Sequence, residues 1–164
     1  MNINSFNIEN EYPQLNNKKI LLAVSGGLDS MTLLHLFSLT KLNFSIAHCN
    51  YNLRSNESLE DEFLVKKIAK KLKIELHIKN INIKNYLNKN KLSVQIAARK
   101  IRYDWFNSLI DKYHFSYIIT AHHLDDQLET LLINIGRGSG IEGLIGIPES
   151  KLLIRPLLNF TKKE

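Results

Sequence analysis

Two short segments of this sequence combine residue types that could bind and activate a phosphate-containing substrate. The first, residues 25–30, reads Ser-Gly-Gly-Leu-Asp-Ser and follows a run of apolar residues. Glycines permit positive φ angles and expose backbone N–H groups, and a helix beginning here adds partial positive charge. The two serine hydroxyls can add hydrogen-bond donors. We therefore expect a phosphate to be held by Ser25, Gly26, Gly27, Leu28 and Ser30.

Asp29 is the unexpected member of this segment, because a carboxylate next to phosphates repels them. A divalent cation between the two would remove the repulsion, so Asp29 predicts Mg²⁺ or a contact with another part of a nucleotide. The alternative is a tight turn in which Asp29 or Ser25 only caps a helix. The segment has neither the Lys of a Walker P-loop nor the spaced glycines of the dinucleotide-binding fingerprint.

The second segment, residues 120–130, reads Thr-Ala-His-His-Leu-Asp-Asp-Gln-Leu-Glu-Thr. Glu129 lies four residues after Asp125 and three after Asp126, so the three carboxylates can share one face of a helix. Acidic residues in a first helical turn often serve only to cap the helix and to interact favourably with its dipole. Three acids together with two histidines exceed what that role needs, which favours a functional site.

Apolar runs and helical periodicity predict the elements that position these segments. Strands are expected at 20–24, 44–49, 74–78, 117–120 and 152–154, and helices at 29–40, 58–72, 94–109 and 128–135. This alternation predicts one α/β domain over residues 20–164, with a doubly wound, mostly parallel sheet covered by helices on both faces. Residues 1–19 form a polar N-terminal extension. Because residues 25, 48–50 and 121–123 each lie at or directly after the end of a predicted strand, they could converge on one crevice.

The segment 25–30 resembles the SGGxDS signature of the PP-loop ATP pyrophosphatases, which cleave ATP between its α and β phosphates to adenylate a substrate. Further segments, at 47–54, 98–103, 120–130, 137–144 and 155–158, are similar to those of tRNA(Ile)-lysidine synthetases, so that the resemblance covers roughly residues 18–160. Tyr51-Asn52 stands where that family commonly has His-Gly. Asn is the best replacement for Gly at a positive φ angle, but any role of the missing His is absent here.

The resemblance implies a Rossmann-like fold of the adenine nucleotide alpha hydrolase type and a two-step reaction on tRNA(Ile) with a CAU anticodon. ATP adenylates the carbonyl oxygen at carbon 2 of the wobble cytidine, and free L-lysine then attacks that carbon and releases AMP. Residues 25–30 would bind ATP with its Mg²⁺, and Asp126 and Glu129 would organise the metal or the lysine ammonium group. Asp29, Asp126 and Glu129 are thus the expected catalytic residues, and Asp29 and Asp126 the expected metal ligands.

Three further residues carry open alternatives. His48 and Arg99 are expected to contact the nucleotide, but His48 could instead be a strand-end histidine bonded to backbone. Arg99 and Arg102 share a helix face that could meet phosphate or tRNA, or could simply be solvated. Arg54 could likewise be a solvated loop charge. Trp105 is better interpreted as a core residue than as a platform for a stacked base.

Composition restricts the remaining possibilities. The formal net charge is +6, and residues 66–102 hold 12 basic residues against Glu75 alone, which favours a polyanionic partner without establishing one. Cys49 is the only cysteine, so neither an internal disulfide nor a thiolate cluster can form within these residues. The sequence contains no apolar run that could cross a bilayer, and a cytoplasmic protein is expected.

Two rival functions remain open at this point. The first is a tRNA thiolase of the PP-loop class, although such enzymes usually need additional cysteines. The second is a non-catalytic nucleotide-binding or RNA-binding fragment that keeps the fold. Because lysidine synthetases are longer, we also expect the chain to be truncated before the C-terminal domains that grip tRNA.

Overall fold

A computed structural model describes residues 6–51, 55–83, 93–136 and 152–163. Strands β1 to β5 are Lys19–Ala23, Asn43–Asn50, Leu76–Asn80, Tyr117–Ile119 and Leu153–Ile154. Helices α1 to α5 are Ile8–Glu11, Leu28–Ser38, Ser55–Leu72, Val94–Tyr113 and Leu124–Gly136, and a 3-10 helix spans Pro13–Leu15. Each strand and each of the four longer helices lies where the sequence pattern predicted one. Helix α3 begins three residues before its predicted start at Ser58.

The described strands form one sheet in the order β3-β2-β1-β4-β5, and every pairing is parallel. The chain winds outward from β1 in one direction through β2 and β3, and in the other direction through β4 and β5. The order therefore reverses between β1 and β4. In open α/β sheets, ligands bind outside the carboxyl ends of the strands at such a switch point. The segments that follow β1 and β4 are residues 24–27 and 120–123.

Both faces of the sheet are covered, as the sequence predicted. Alternate residues of β1 point to opposite sides, because side chains in a strand alternate between the two faces. Ile20 and Leu22 pack in one core together with buried residues of α2 and α3, whereas Leu21 packs in a second core formed largely by α4. Trp105 lies in that second core and is 9% exposed, which confirms its interpretation as a core residue.

The N-terminal segment is more closely packed than its polar composition suggested. Ile8 and Leu15 are 2% and 0% exposed and belong to the core that contains Ile20. The ring of Phe6 packs edge-to-face on Phe160, with 4.9 Å between the ring centroids. This segment carries no helical or strand signal, because single apolar residues separated by polar ones leave no repeating pattern. Among the described residues, none of the helices is long and apolar enough to span a membrane.

Candidate active site

The loop between β1 and α2 has a geometry that only glycine permits at one position. Gly26 has a φ angle of +97°, and a Cβ placed on it would lie 2.6 Å from the Cβ of Asp61 on α3. The backbone of the loop therefore packs directly against α3. Gly27 differs, because its φ angle is −71° and a Cβ there would meet only the Ser25 Oγ at 3.6 Å.

The Ser30 hydroxyl organises this loop from inside. Its Oγ accepts hydrogen bonds from the backbone N–H groups of Ser25 and Gly26, at 3.1 and 3.2 Å. The same hydroxyl donates to the carbonyl oxygen of Gly27 at 2.9 Å. Because its single hydrogen is used there, the 3.0 Å contact between the two serine hydroxyls must be donated by Ser25. Ser30 is 6% exposed and thus fixes the shape of the loop.

The amino end of α2 is left available for an anion. Its N-cap is Gly27, and no side chain caps the helix there. The first N–H groups of a helix have no partner within the helix, so they must be satisfied from outside it. A phosphate group fits this position, because it would accept from these N–H groups and meet the positive end of the helix dipole.

His123 joins residues 25–30, here called the phosphate loop, to the segment that follows β4. Its Nε2 lies 3.7 Å from the Asp29 Oδ2, and its side chain is 9% exposed. On the other side of the ring, Nδ1 lies 3.5 Å from the Asp126 Oδ2 and 3.6 Å from the Asp125 Oδ2. The two segments singled out in the sequence therefore lie next to each other, as the strand order requires.

Asp126 and His123 cap helix α5 reciprocally. The Asp126 Oδ2 accepts from the backbone N–H of His123 at 2.9 Å, and the His123 Nδ1 accepts from the backbone N–H of Asp126 at 3.4 Å. This is the pattern of a capping box, with His123 in place of the usual Ser or Thr. Asp126 thus has the capping role that the sequence left open as an alternative, and its negative charge also lies beside Asp29 across one imidazole ring.

The other acids of α5 are placed differently. The Asp125 Oδ2 accepts from the backbone N–H of Lys162 at 2.6 Å, and the carbonyl oxygen of Phe160 accepts from the Leu124 N–H at 2.9 Å. The segment after β5 is thereby fastened to the start of the helix. Glu129 lies one turn further along α5, is exposed, and lines neither of the two cavities found next to Asp29.

One of these cavities opens at the carboxyl ends of β1, β2 and β4. Its walls include residues of the phosphate loop and, facing them, Tyr51, Arg102 and His122. Burial, followed by the charges of Arg155 and Arg102, lowers the pKa of His122 to about 4. The ring is therefore neutral near pH 7, and its Nδ1 lies 2.8 Å from the Thr120 Oγ1. Asp29 lines this cavity and also a second one beside His123.

Arg102 rather than Arg99 lines the cavity. Both guanidinium groups lie over the ring of Tyr103, at 5.2 Å for Arg99 and 5.4 Å for Arg102, but Arg99 is exposed to solvent. The sequence contained a signal for this difference. Ala98, Arg102, Trp105 and Leu109 share the stripe of α4 that faces the sheet, and Arg99 lies outside it.

His48 is fixed by the backbone. It is 1% exposed, and its Nδ1 donates to the carbonyl oxygen of Val24 at 2.9 Å, so it joins the ends of β2 and β1 beneath the phosphate loop. The residue does not line the cavity. Next to it in the chain, Cys49 does line the cavity, and burial raises the pKa of its thiol to about 11. That thiol is therefore protonated near pH 7.

Arg54 and residues 137–144 lie outside the described residues. Among the described residues, no group of three or more His, Cys, Asp or Glu side chains is arranged to hold a metal ion. A single carboxylate such as Asp29 does not form a metal site alone. Mg²⁺ is commonly bound by one or two carboxylates together with substrate phosphates, so the residues present fit a metal that arrives with a nucleotide.

Comparison with known proteins decides the family. The profile of the PP-loop domain matches residues 2–164. The chain belongs to the PP-loop family. It is 40% identical over 158 residues to a tRNA(Ile)-lysidine synthase from Bacteroides thetaiotaomicron, covering 96% of this chain and 37% of that protein. It is 42% identical to the enzymes of that name from Chlorobaculum tepidum and Petrotoga mobilis, covering 91% and 95% of this chain and 46% and 50% of theirs.

Two solved structures share the fold. A U34-tRNA thiolase from Methanococcus maripaludis superimposes with a TM-score of 0.68 at 20% identity, covering 90% of this chain and 54% of that one. An NH3-dependent NAD synthetase from Campylobacter jejuni gives a TM-score of 0.63 at 21% identity, covering 96% and 65%. These likenesses concern the fold alone. The chain spans half or less of the three curated relatives named above.

Proposed function

We propose that this chain is the ATP-using part of a tRNA(Ile)-lysidine synthetase. The observation that carries the proposal is the juxtaposition of Asp29, at the start of α2, with Asp126, at the start of α5, across the ring of His123. This juxtaposition brings two carboxylates to the amino end of α2, which has no side-chain cap and would hold the phosphates. The curated relatives, similar over nearly the whole chain, support the choice of reaction.

In this proposal the phosphate loop and the first N–H groups of α2 bind the phosphates of ATP. Asp29 would hold Mg²⁺ together with those phosphates, and Asp126, at the start of α5, would contribute a second carboxylate. The bound metal would neutralise charge on the phosphates. Arg102, which lines the same cavity, adds a fixed positive charge near the site at which pyrophosphate separates. His48 supports the loop from beneath, and Arg99 is at most a peripheral contact for phosphate or tRNA.

Adenylation solves a chemical difficulty of the substrate. The carbonyl at carbon 2 of cytosine is a poor electrophile, and its oxygen is a poor leaving group. Transfer of AMP to that oxygen breaks the bond between the α and β phosphates and releases pyrophosphate. The uncharged amine of lysine then forms a bond to carbon 2, and AMP departs with the oxygen. Because the free amine has a pKa of about 10.4, a carboxylate such as Asp126 or Glu129 is needed to orient it and accept its proton.

The wobble base, free L-lysine and Mg²⁺ are thus the proposed partners in addition to ATP. A thiolase reaction is the less favoured alternative, because these 164 residues contain a single cysteine and its buried thiol is protonated near pH 7. Thiolate is the nucleophilic form, so Cys49 is poorly suited to carry sulfur.

The test is an incubation of the chain with ATP, Mg²⁺, labelled lysine and a tRNA(Ile) transcript that carries the CAU anticodon. We expect AMP and pyrophosphate to form and the mass of the wobble nucleotide to increase by that of lysine less water. A matched transcript with U at the wobble position should yield no AMP, no pyrophosphate and no increase in mass. Binding of Mg-ATP without formation of AMP under any of these conditions would favour a non-catalytic module instead. In a parallel incubation with a sulfur donor in place of lysine, consumption of that donor would favour a thiolase.

A further inference from the structure

His123 is placed to do more than cap a helix. Its ring contacts both the Asp29 carboxylate of α2 and the first turn of α5, with Nε2 at 3.7 Å from the Asp29 Oδ2 and Nδ1 at 3.4 Å from the backbone N of Asp126. The ring is also enclosed, since the residue is 7% exposed. Its two nitrogens therefore face different elements, and each has a separate partner.

The capping bond shows which ring nitrogen is the acceptor and which can donate. Because Nδ1 accepts from the backbone N–H of Asp126, the hydrogen must be on Nε2, which then points its N–H toward the Asp29 Oδ2. The separation of 3.7 Å is longer than a hydrogen bond and acts as an oriented electrostatic contact. The ring nitrogens lie 3.7 and 3.5 Å from the carboxylates of Asp29 and Asp126, and the ring therefore places a polar group beside two like charges that repel each other.

We propose that His123 is a positioning residue that holds the Asp29 carboxylate in register with helix α5, so that Asp29 is in place when Mg-ATP binds. This inference rests on the proposed use of ATP. His123 acts through Asp29 and does not itself touch the nucleotide, since it lines the second cavity and is not among the residues that line the cavity containing Arg102. A residue just beyond the carboxyl end of β4 thereby positions the Asp29 carboxylate of the phosphate loop.

Two substitutions test the roles of the two ring nitrogens separately. In His123→Asn, the side-chain oxygen can replace Nδ1 as the cap, since Asn is among the best N-cap residues, but the side chain is too short to reach Asp29. In His123→Gln, the longer amide can carry an N–H to the position of Nε2, while the capping acceptor is lost. A matched control is Asn7→Ala, which removes a side-chain cap from α1, where Asn7 accepts from Glu9 and Asn10.

The experiment measures the dissociation constant of Mg-ATP by calorimetry and the melting temperature for each variant of this chain. We expect His123→Asn to melt like the wild type and to bind Mg-ATP about fivefold or more weakly. His123→Gln should melt lower and bind within about twofold of the wild type. Asn7→Ala should lower the melting temperature and leave the affinity unchanged.

The outcomes distinguish this inference from the proposed function. If the wild-type chain binds no Mg-ATP, the proposed function fails at its first step. If the wild type binds and His123→Asn binds equally well, His123 is only a cap and the positioning role is wrong. A weak affinity in His123→Gln that matches that of His123→Asn would also overturn it, because the restored N–H would then have no effect.

Discussion

The Nε2 of His123 lies 3.7 Å from the Oδ2 of Asp29, which places the segment after β4 against the start of helix α2. These residues are 94 positions apart in the chain. They meet because β1 and β4 are neighbouring parallel strands whose carboxyl ends lie at one edge of the sheet. The same contact joins the phosphate loop to Asp126, so each residue of this small cluster can be tested separately.

Asp126→Asn should stop catalysis and leave the fold intact. Asn keeps an oxygen that can accept from the His123 N–H, and the loss of a charge near the helix dipole costs less than about 1 kcal/mol of unfolding free energy. The missing carboxylate should lower pyrophosphate release about 100-fold or more. Pyrophosphate release and chemical unfolding should both be measured. A matched control is Asp111→Asn, the same chemical change on the exposed side of α4. Normal turnover in Asp126→Asn would remove the assignment.

Gly26→Ala should destabilise the chain far more than Gly27→Ala. Alanine at Gly26 would combine an unfavourable φ angle with a clash against Asp61, at a cost of about 2–4 kcal/mol of unfolding free energy. Alanine at Gly27 meets only an ordinary contact and loses a modest N-cap preference, at a cost of about 1 kcal/mol or less. Unfolding in urea measures both. Equal losses for the two variants would show that the loop does not require a positive φ angle at Gly26.

The fold was predictable because its signals are local and repeated. The apolar run 20–24 could only be a strand buried on both faces, and the stripes of α3 and α4 have helical periodicity. Strand order was not predicted, since nothing in the pattern of one strand states which strand lies beside it. The capping role of Asp126 was foreseen only as an alternative, because an acid in a first helical turn is suited both to the start of the helix and to a functional site.

The site was predictable in outline and less so in detail. Residues 25–30 and 120–130 were identified from residue types, but the role of Ser30 as an acceptor for two backbone N–H groups depends on loop geometry that no spacing reveals. For His48, a bond to backbone was one of the two alternatives, but its partner, the carbonyl oxygen of Val24, lies at the end of another strand, and no local spacing identifies it. For Arg102, the stripe of α4 contained the signal, but charged residues are usually expected on the solvated face of a helix.

Arg102→Ala should weaken the binding of Mg-ATP about tenfold or more, whereas Arg99→Ala should stay within about twofold of the wild type. Both arginines lie over the Tyr103 ring, so both variants lose a similar cation–π contact and the pair is matched. Only Arg102 lines the cavity. Calorimetric titration with Mg-ATP measures the difference. A larger loss in Arg99→Ala would mean that the nucleotide binds over the outer face of α4.

Acid should destabilise the chain partly through His122. The pKa of this residue is lowered to about 4 in the folded chain, chiefly by burial, so below its ordinary value near 6.5 the unfolded chain binds the proton more readily. The contribution of the uncharged His122 to the free energy of unfolding is therefore complete above about pH 6.5 and is lost as the pH falls toward 4. Between pH 7 and pH 5, His122→Gln should reduce the loss of unfolding free energy by about 1–2 kcal/mol.

The pKa of His77 is also lowered by burial. His77→Gln should therefore also reduce the loss of unfolding free energy in acid, in addition to the effect of His122→Gln. In the double variant, the unfolding free energy should depend least on pH. His77 packs on Tyr113 and lies in β3 rather than in the cavity, which makes its effect independent of the site. Urea unfolding at a series of pH values measures all three variants. If His122→Gln kept the full acid sensitivity of the wild type, a charged imidazole would be tolerated beside Arg102, and His122 could then hold a proton for the reaction near neutral pH.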